Sequence, residues 1–235
     1  MNPNIPKIIM QTGYGQKYNS IYKKEIIKLN PSFKYEYYNN NDCIIFLKKF
    51  FPQDVTIAFN KLRPGAFKAD LFRYCYLYIN GGVYIDLDLM PKKSLDEILV
   101  NNADFISSLE NRQGRHINGI YQAFIACKKG INFFKIAIDT IVYYTKINYY
   151  PIKLESDIWI SILSITGPVL LYNSINFKKR PICGYTNINN ISIFLYSFNG
   201  HIFDLNNKII MENIDNIEYI KNNYAELFRK KNIYN

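Results

Sequence analysis

The stretch from Ala66 to Pro91, AFKADLFRYCYLYINGGVYIDLDLMP, constrains this chain more than any other part of it. After Pro64-Gly65 comes a strongly apolar run, Ala66 to Ile79, that reads as a helix and halts at Asn80-Gly81-Gly82. Glycine just past a helix is the expected stop, because it takes the left-handed backbone without a Cβ clash. Val83 to Leu87, rich in β-branched side chains, then reads as a buried strand. Two features in this stretch are chemically expensive. Asp70 and Arg73 are three apart and share one face of an apolar helix, where opposite charges are unfavourable unless they pair or meet a polar ligand. Asp86 and Asp88 are two apart, and along a strand that spacing puts both carboxylates on one side. So placed they repel unless a cation joins them, and hard oxygen ligands suit Mg²⁺ or Mn²⁺, which also hold a diphosphate.

The flanking sequence alternates strand and helix. Lys7 to Met10 reads as a short buried strand entered through Pro6 and ending at Gln11-Thr12-Gly13. Ile21 to Leu29 has helical spacing and stops at Asn30-Pro31; Phe33 to Tyr38 alternates like a strand and runs into the turn Asn39 to Asp42. Cys43 to Phe51 is a second helix, ended by Pro52. Such alternation predicts a parallel α/β sheet, and open sheets of that kind bind ligands beyond the carboxyl ends of their strands, where Asp86 and Asp88 fall. Further on, Ala103 to Leu109 and Tyr121 to Cys127 read as strands, Asn132 to Tyr144 and Ile158 to Ile165 as helices, and Ile182 to Phe198 as turn-rich β structure. A last helix is expected from Asp215 to Phe228, with Ile217, Ile220, Tyr224, Leu227 and Phe228 on one face. That stripe packs on the core or, beside Arg229-Lys230-Lys231, makes a peripheral membrane contact.

A chain of 235 residues buries roughly 70% of its unfolded surface and needs no disulfides. Cys43, Cys75, Cys127 and Cys183 are far apart with no CxxC pair, so scattered reduced thiols are expected and a cysteine zinc site is not. Lys plus Arg number 29 against 19 acids, a net +10 that is either a set of solvated faces or an attraction to polyanions. No signal peptide opens the sequence and no run reaches the ~18 apolar residues of a membrane span, so a soluble, cytoplasmic chain is expected. No nucleic-acid-binding motif occurs.

The pattern A-x-x-[AS]-D-x-x-R followed by G-G-x-Y-x-D-x-D is matched by Ala66, Ala69, Asp70, Arg73, Gly81, Gly82, Tyr84, Asp86 and Asp88. With this spacing the segment resembles the DXD-containing sugar-binding region of the family 32 type of glycosyltransferases. That family includes fungal initiating α-1,6-mannosyltransferases, capsular-polysaccharide sugar transferases and large clostridial glucosylating toxins. The opening Ile5 to Thr12 resembles the family's IPKIIHQTW start, with Met10 in place of His and Gly13 in place of Trp. The resemblance covers residues 5–12 and 66–91, and extends loosely to Tyr121–Phe134 and Thr166-Gly167-Pro168.

It implies a GT-A fold, a Rossmann-like mixed sheet flanked by helices, as a single domain over 1–235. The nucleotide-sugar-binding part would be about 1–130 and the acceptor-side part about 131–235. The implied activity is metal-dependent transfer, usually with retention, of a hexose or N-acetylhexosamine from a UDP- or GDP-sugar to a glycan, protein or lipid acceptor. Carried over by position, Asp70 and Arg73 would hold donor-sugar hydroxyls, Asp86 would contact the ribose and a metal-bound water, and Asp88 would ligate Mn²⁺ (or Mg²⁺) directly. Gln11, Thr12 and Tyr84 would line base and ribose, with Ala69 and Gly167 in the same pocket, and Gln122 stands where the family commonly has Asn near the sugar. His201, after Asn199-Gly200, is either a third metal ligand, as a His is in some GT-A enzymes, or a surface histidine. His116 is expected on an acceptor-side loop. Glu155, Asp157 and Trp159 either shape an acceptor cleft or, for the tryptophan, pack in the core.

Competing classes fare worse. A haloacid-dehalogenase-type phosphotransferase also uses D-x-D after a strand, but wants it near the chain start, with Thr or Val where Met90 stands. A catalytically silent nucleotide-sugar-binding or lectin-like module is the other reading, and the complete set of Asp70, Arg73, Asp86 and Asp88 weighs against it.

Overall fold

The structure, a computed structural model, describes residues 4–13, 16–112, 115–151, 158–214 and 225–235. β1 (Ile8–Thr12) leads through α1 (Gln16–Leu29) to β2 (Lys34–Tyr38), which lies parallel to β1 at the edge of the sheet. α2 (Asn40–Phe50) begins in a capping box: the Asn39 side chain accepts from the amides of Asn41 and Asp42, and the Asp42 carboxylate accepts from the Asn39 amide at 3.0 Å. Pro52 ends that helix and directly precedes α3 (Gln53–Lys61), an element the sequence pattern did not reveal.

α4 (Gly65–Asn80) and β3 (Gly82–Ile85) are the predicted helix and strand. The two glycines between them have φ of 67° and 96°. A Cβ at Gly82 would sit 2.8 Å from the Ile8 carbonyl oxygen, and one at Gly81 would meet the backbone at 127–129. The glycine pair therefore lets α4 turn straight into a strand pressed against β1.

β4 (Leu89–Pro91) and α5 (Leu95–Ile98) follow, then β5 (Phe105–Arg112), β6 (Arg115–Cys127), α6 (Asn132–Lys146), α7 (Ile158–Leu163) and α8 (Pro168–Ile175). The chain continues through β7 (Gly184–Ile188), β8 (Ile191–Asn199), β9 (His201–Phe203) and β10 (Ile209–Asn213). All ten strands join one sheet in the order β2-β1-β3-β6-β5-β8-β9-β10-β4, with β7 paired to β8.

The sheet is mixed rather than parallel. β1, β2 and β3 run together, β5 and β8 run with them, and β6 alone reverses between β3 and β5. The reason is local: only residues 113 and 114 separate β5 from β6, whereas a parallel crossover needs a dozen or more. The polar stretch Asn111 to Asn118, expected as a loop, thus falls largely within these two strands. Thr166-Gly167-Pro168, read as a turn, leads into α8 with Pro168 in the first turn, where its missing N–H costs nothing. Of the expected last helix, 215–224 lie outside the described residues, and 225–229 are helical.

Alternate residues of the central strands face opposite layers. Ile9, Val83 and Ile85 pack with Ile26, Leu95 and Phe124 on one side; Met10 and Tyr84 pack with Leu71, Phe72 and Leu77 of α4 on the other. β3 is buried on both faces, as a central strand must be. The four cysteines are free, and among the described residues no helix is long and apolar enough to cross a membrane.

Gly82→Ala should destabilise the fold by roughly 1–3 kcal/mol through backbone strain and a clash with β1. Gly130→Ala, at φ 78° but with nothing within 4 Å, should cost clearly less. Urea midpoints of the two variants check the order.

Candidate active site

The site is built around the guanidinium of Arg73, whose side chain is 5% exposed. Its Nη2 lies 3.1 Å from Asp86 Oδ1, 3.4 Å from Asp70 Oδ1 and 3.0 Å from the Tyr84 hydroxyl. Nη1 donates to the backbone carbonyl of Gln122 at 2.8 Å. The guanidinium carbon stands 4.2 Å from the centre of the Tyr84 ring. Tyr84 accepts from Arg73 and donates to Asp86 Oδ1, so one phenol links the helix cation to the acid past the strand end. Burial opposes the charge on Arg73, but Tyr84, Asp86 and Asp70 outweigh it and hold the group protonated.

Asp70 is tied on its other side. Thr166 Oγ1 donates to its Oδ2 at 2.7 Å, the Thr166 carbonyl accepts from the Tyr74 hydroxyl at 2.8 Å, and the Gln122 amide donates to Tyr74. The Thr-Gly-Pro segment thereby closes a ring of polar contacts from α4 through β6 and back to Arg73. Burial, partly offset by Arg73 and Thr166, pushes the Asp70 carboxyl up to about 6.

Beside this ring lies a cavity of about 160 Å³. Asp70, Arg73, Asp86, Glu110, Tyr121 and Gln122 form its polar lining; Phe67, Ile162, Leu163 and Pro168 form its apolar lining. Gly167 also lines it. Glu110, Tyr121, Tyr74 and Thr166 were not expected as individual contributors; only strand order and helix packing bring them here.

β3 ends at Ile85, and Asp86 and Asp88 occupy a turn in which the Leu89 amide donates to the Asp86 carbonyl at 3.2 Å. Their neighbourhood therefore comes from a turn and not from strand alternation as expected. Gln11 steadies the turn from β1: its Nε2 donates to the carbonyls of Ile85 and Asp86 at 3.2 Å each, while Tyr35 donates to its Oε1 at 2.7 Å. On the far side β4 pairs with β10, and the Ile214 amide donates to the Asp88 carbonyl at 2.8 Å. Leu87, between the two acids, packs on Gly13, where a Cβ would come within 2.5 Å of its Cδ1. Gly13 is thus matched to Leu87 where the family has a tryptophan.

His201 reaches this ribbon, with Nδ1 accepting the amide of Asn213 at 3.2 Å. A neutral imidazole that accepts at Nδ1 carries its proton on Nε2. Sequence alone leaves His201 between a third metal ligand and a surface histidine; here its Nδ1 serves the backbone of the ribbon, and among the described residues no three His, Cys, Asp or Glu gather to hold a metal. Asn213 also accepts from the Tyr121 hydroxyl at 3.0 Å, and Tyr121 stacks on Phe198 with ring centres 3.8 Å apart. The ribbon is thereby fastened to the cavity wall.

Other expected positions stand apart. Thr12 donates to the Tyr38 carbonyl at 2.8 Å and so joins β1 to the end of β2. Ala69 is not part of the cavity lining. Trp159 is half-buried on α7 against the core. Glu155, Asp157 and the His116 side chain lie outside the described residues.

A mixed α/β sheet with a carboxyl-rich cavity beyond its strand ends is the layout of a ligand-binding α/β protein. Residues 16–104, which hold Asp70, Arg73, Asp86 and Asp88, match the family described as "Glycosyltransferase sugar-binding region containing DXD motif". The chain is 34% identical over 123 residues to an uncharacterized glycosyltransferase of Acanthamoeba polyphaga mimivirus, covering 49% of each chain. It is 33% identical over 87 residues to the initiation-specific alpha-1,6-mannosyltransferase of Candida albicans, covering 36% of this chain and 22% of that protein. It is 27% identical over 170 residues to a mannosyl phosphorylinositol ceramide synthase of Saccharomyces cerevisiae, covering 71% of this chain and 41% of the relative. The chain thus spans half or less of the length of these relatives. Among solved structures, the PaToxG glycosyltransferase is similar with a TM-score of 0.49 at 15% identity, covering 73% of this chain and 68% of that one.

Asp70 supplies a pH test. Its folded-state value, about 6, lies above the ordinary 3.8, so its contribution to stability is full below about pH 4 and is lost as pH rises through 6. Asp70→Asn cannot lose that proton. Its melting temperature relative to the parent should therefore rise between pH 4 and pH 7, as thermal scans across that range would show.

Proposed function

We propose that this chain is a glycosyltransferase that moves a hexose or N-acetylhexosamine from a UDP- or GDP-sugar to a glycan, protein or lipid acceptor, with Mn²⁺ or Mg²⁺ as cofactor. The observation that carries the reading is the cavity, lined by both polar and apolar side chains, at the carboxyl ends of β3 and β5. A sugar ring has the same build, with hydroxyls at its edge and C–H groups on its faces. Its volume, about 160 Å³, is close to that of engineered cavities that admit one six-membered ring. A purely structural ion pair between Asp70 and Arg73 would need no opening beside it.

The acids fit the implied cation. Mg²⁺-type ions take one or two protein carboxylates and fill the rest of their shell with water and substrate phosphates, so no three-residue cage is required. The family resemblance makes Asp88 the direct ligand, with Asp86, whose Oδ1 is engaged by Arg73 and Tyr84, beside it in the same turn. Such an ion, once bound, neutralises charge on the departing nucleoside diphosphate.

The chain's own residues do the rest. Arg73 and Tyr84 orient Asp86, Gln11 holds the turn backbone, and Asp70, Arg73 and Gln122 face the donor sugar. Transfer breaks the bond from the anomeric carbon to the diphosphate oxygen and forms one to an acceptor hydroxyl, which loses its proton. Retention of configuration is what the family resemblance implies. The cavity draws on α4, the turn after β3, β5 and β6 below residue 130 and on α7 and the start of α8 above it, and we assign the donor part to about 1–130 and the acceptor-side part to about 131–235. Relatives named as mannosyltransferases make mannose the first donor sugar to try.

The test is a thermal-shift and hydrolysis panel of UDP- and GDP-sugars with and without Mn²⁺. A true donor at about 100 times its Kd should stabilise the protein by roughly 2.7 kcal/mol. Binding without turnover would mark a silent sugar-nucleotide module instead. Asp88→Asn should lose about 10²–10³ in kcat with unchanged melting; full Mn²⁺-stimulated activity in that variant would sink the assignment.

A further inference from the structure

Glu110 belongs to no recognised motif, yet it is 1% exposed and lines the cavity with Asp70, Arg73 and Asp86. Three features put it there. β5 runs in the same direction as β3, with β6 reversed between them, so the carboxyl end of β5 falls at the same edge of the sheet as Asp86. The β5–β6 register slips between Leu109 and Asn111, and such bulges re-aim a side chain. Gly119, across that slip, has no side chain: a Cβ there would lie 3.0 Å from the Glu110 Cβ and 3.2 Å from the Pro168 Cβ. A larger residue at Gly119 would press on Glu110 and Pro168, so the glycine favours the close approach of β5, β6 and the start of α8 around this glutamate.

Position then suggests partner. β5 lies two strands from β3, roughly 10 Å across the sheet, so Glu110 enters the cavity from a different strand end than Asp86. Arg73 also lines the cavity, and its buried Nε–H finds no partner among the described residues. A carboxyl group and a guanidinium lining one small cavity match an array of sugar hydroxyls, each of which both donates and accepts.

We infer that Glu110 is a donor-sugar contact, accepting hydrogen bonds from hydroxyls of the transferred sugar at the end of the cavity away from the diphosphate. The inference rests on the cavity being the donor-sugar pocket and adds the residue that reads the sugar itself. A site built to bond a hydroxyl discriminates against donors that lack it.

The test compares two classes of ligand by calorimetry in Mn²⁺: UDP and GDP alone, and UDP-glucose, UDP-N-acetylglucosamine and GDP-mannose. In Glu110→Gln, affinity for the preferred nucleoside diphosphate should be unchanged. Affinity and kcat/KM for the matching nucleotide-sugar should fall on the order of 10–100-fold, the worth of a hydrogen bond to a charged group. A residue with only a structural role would weaken both classes together or neither. If Glu110→Gln melts too low to assay, Glu110→Asp, which keeps the carboxyl but withdraws it, should show the same split in smaller measure. Equal nucleotide-sugar binding and turnover in a folded variant overturns the inference alone. A parent protein that binds none of these nucleotides overturns the donor reading, and this inference with it.

Discussion

Everything at the site depends on a positive charge that cannot leave. Arg73 projects from an apolar helix into the gap between α4 and the sheet, where water does not reach it and its proton cannot be lost. Such a cation must be matched by fixed partners, and it finds them on separate elements: Asp70 on its own helix, Tyr84 on β3, Asp86 in the turn beyond, and the Gln122 carbonyl on β6. Removing one member of a buried pair typically costs about 3–5 kcal/mol, whereas replacing the whole set by apolar side chains is often neutral or stabilising. Stability alone therefore does not account for the cluster, and an open cavity beside it does.

Breaks in regular structure gather where the chemistry is proposed. The helix gives way to a strand at Gly81-Gly82, the strand gives way to a turn at Asp86, the β5–β6 register slips beside Glu110, and α8 starts at Gly167-Pro168 without a side-chain cap. Each break aims a side chain or backbone group that an uninterrupted element would have pointed elsewhere. The turn at Asp86–Asp88 is also the joint between the main sheet and the ribbon of β4, β9 and β10. Movement of that ribbon would reach Asp88 through the Ile214 amide and the cavity wall through Asn213 and Tyr121.

Much of this was legible in the sequence. The helix and strand around Gly81-Gly82 and the pairing of Asp70 with Arg73 follow from composition, period and spacing. What stayed hidden has physical causes. α3 follows Pro52 and α8 opens with Pro168, and a proline that stops one element reads the same as one that starts the next. Asp86 and Asp88 sit in a turn that alternation rules do not describe. The tautomer of His201 follows from an amide twelve residues on, and no local pattern encodes it.

By itself the sequence determined which segments would be apolar enough to bury, where glycine would permit a sharp change of direction, and that three acid groups and a guanidinium would need partners. Those properties depend on residues close together along the chain. Only the tertiary structure decided which strand reversed, which acids faced the cavity and that Glu110 stood among them. Strand order and register join residues dozens of positions apart, and the free energy that selects them comes from burial shared by the whole sheet, which no short window of sequence contains.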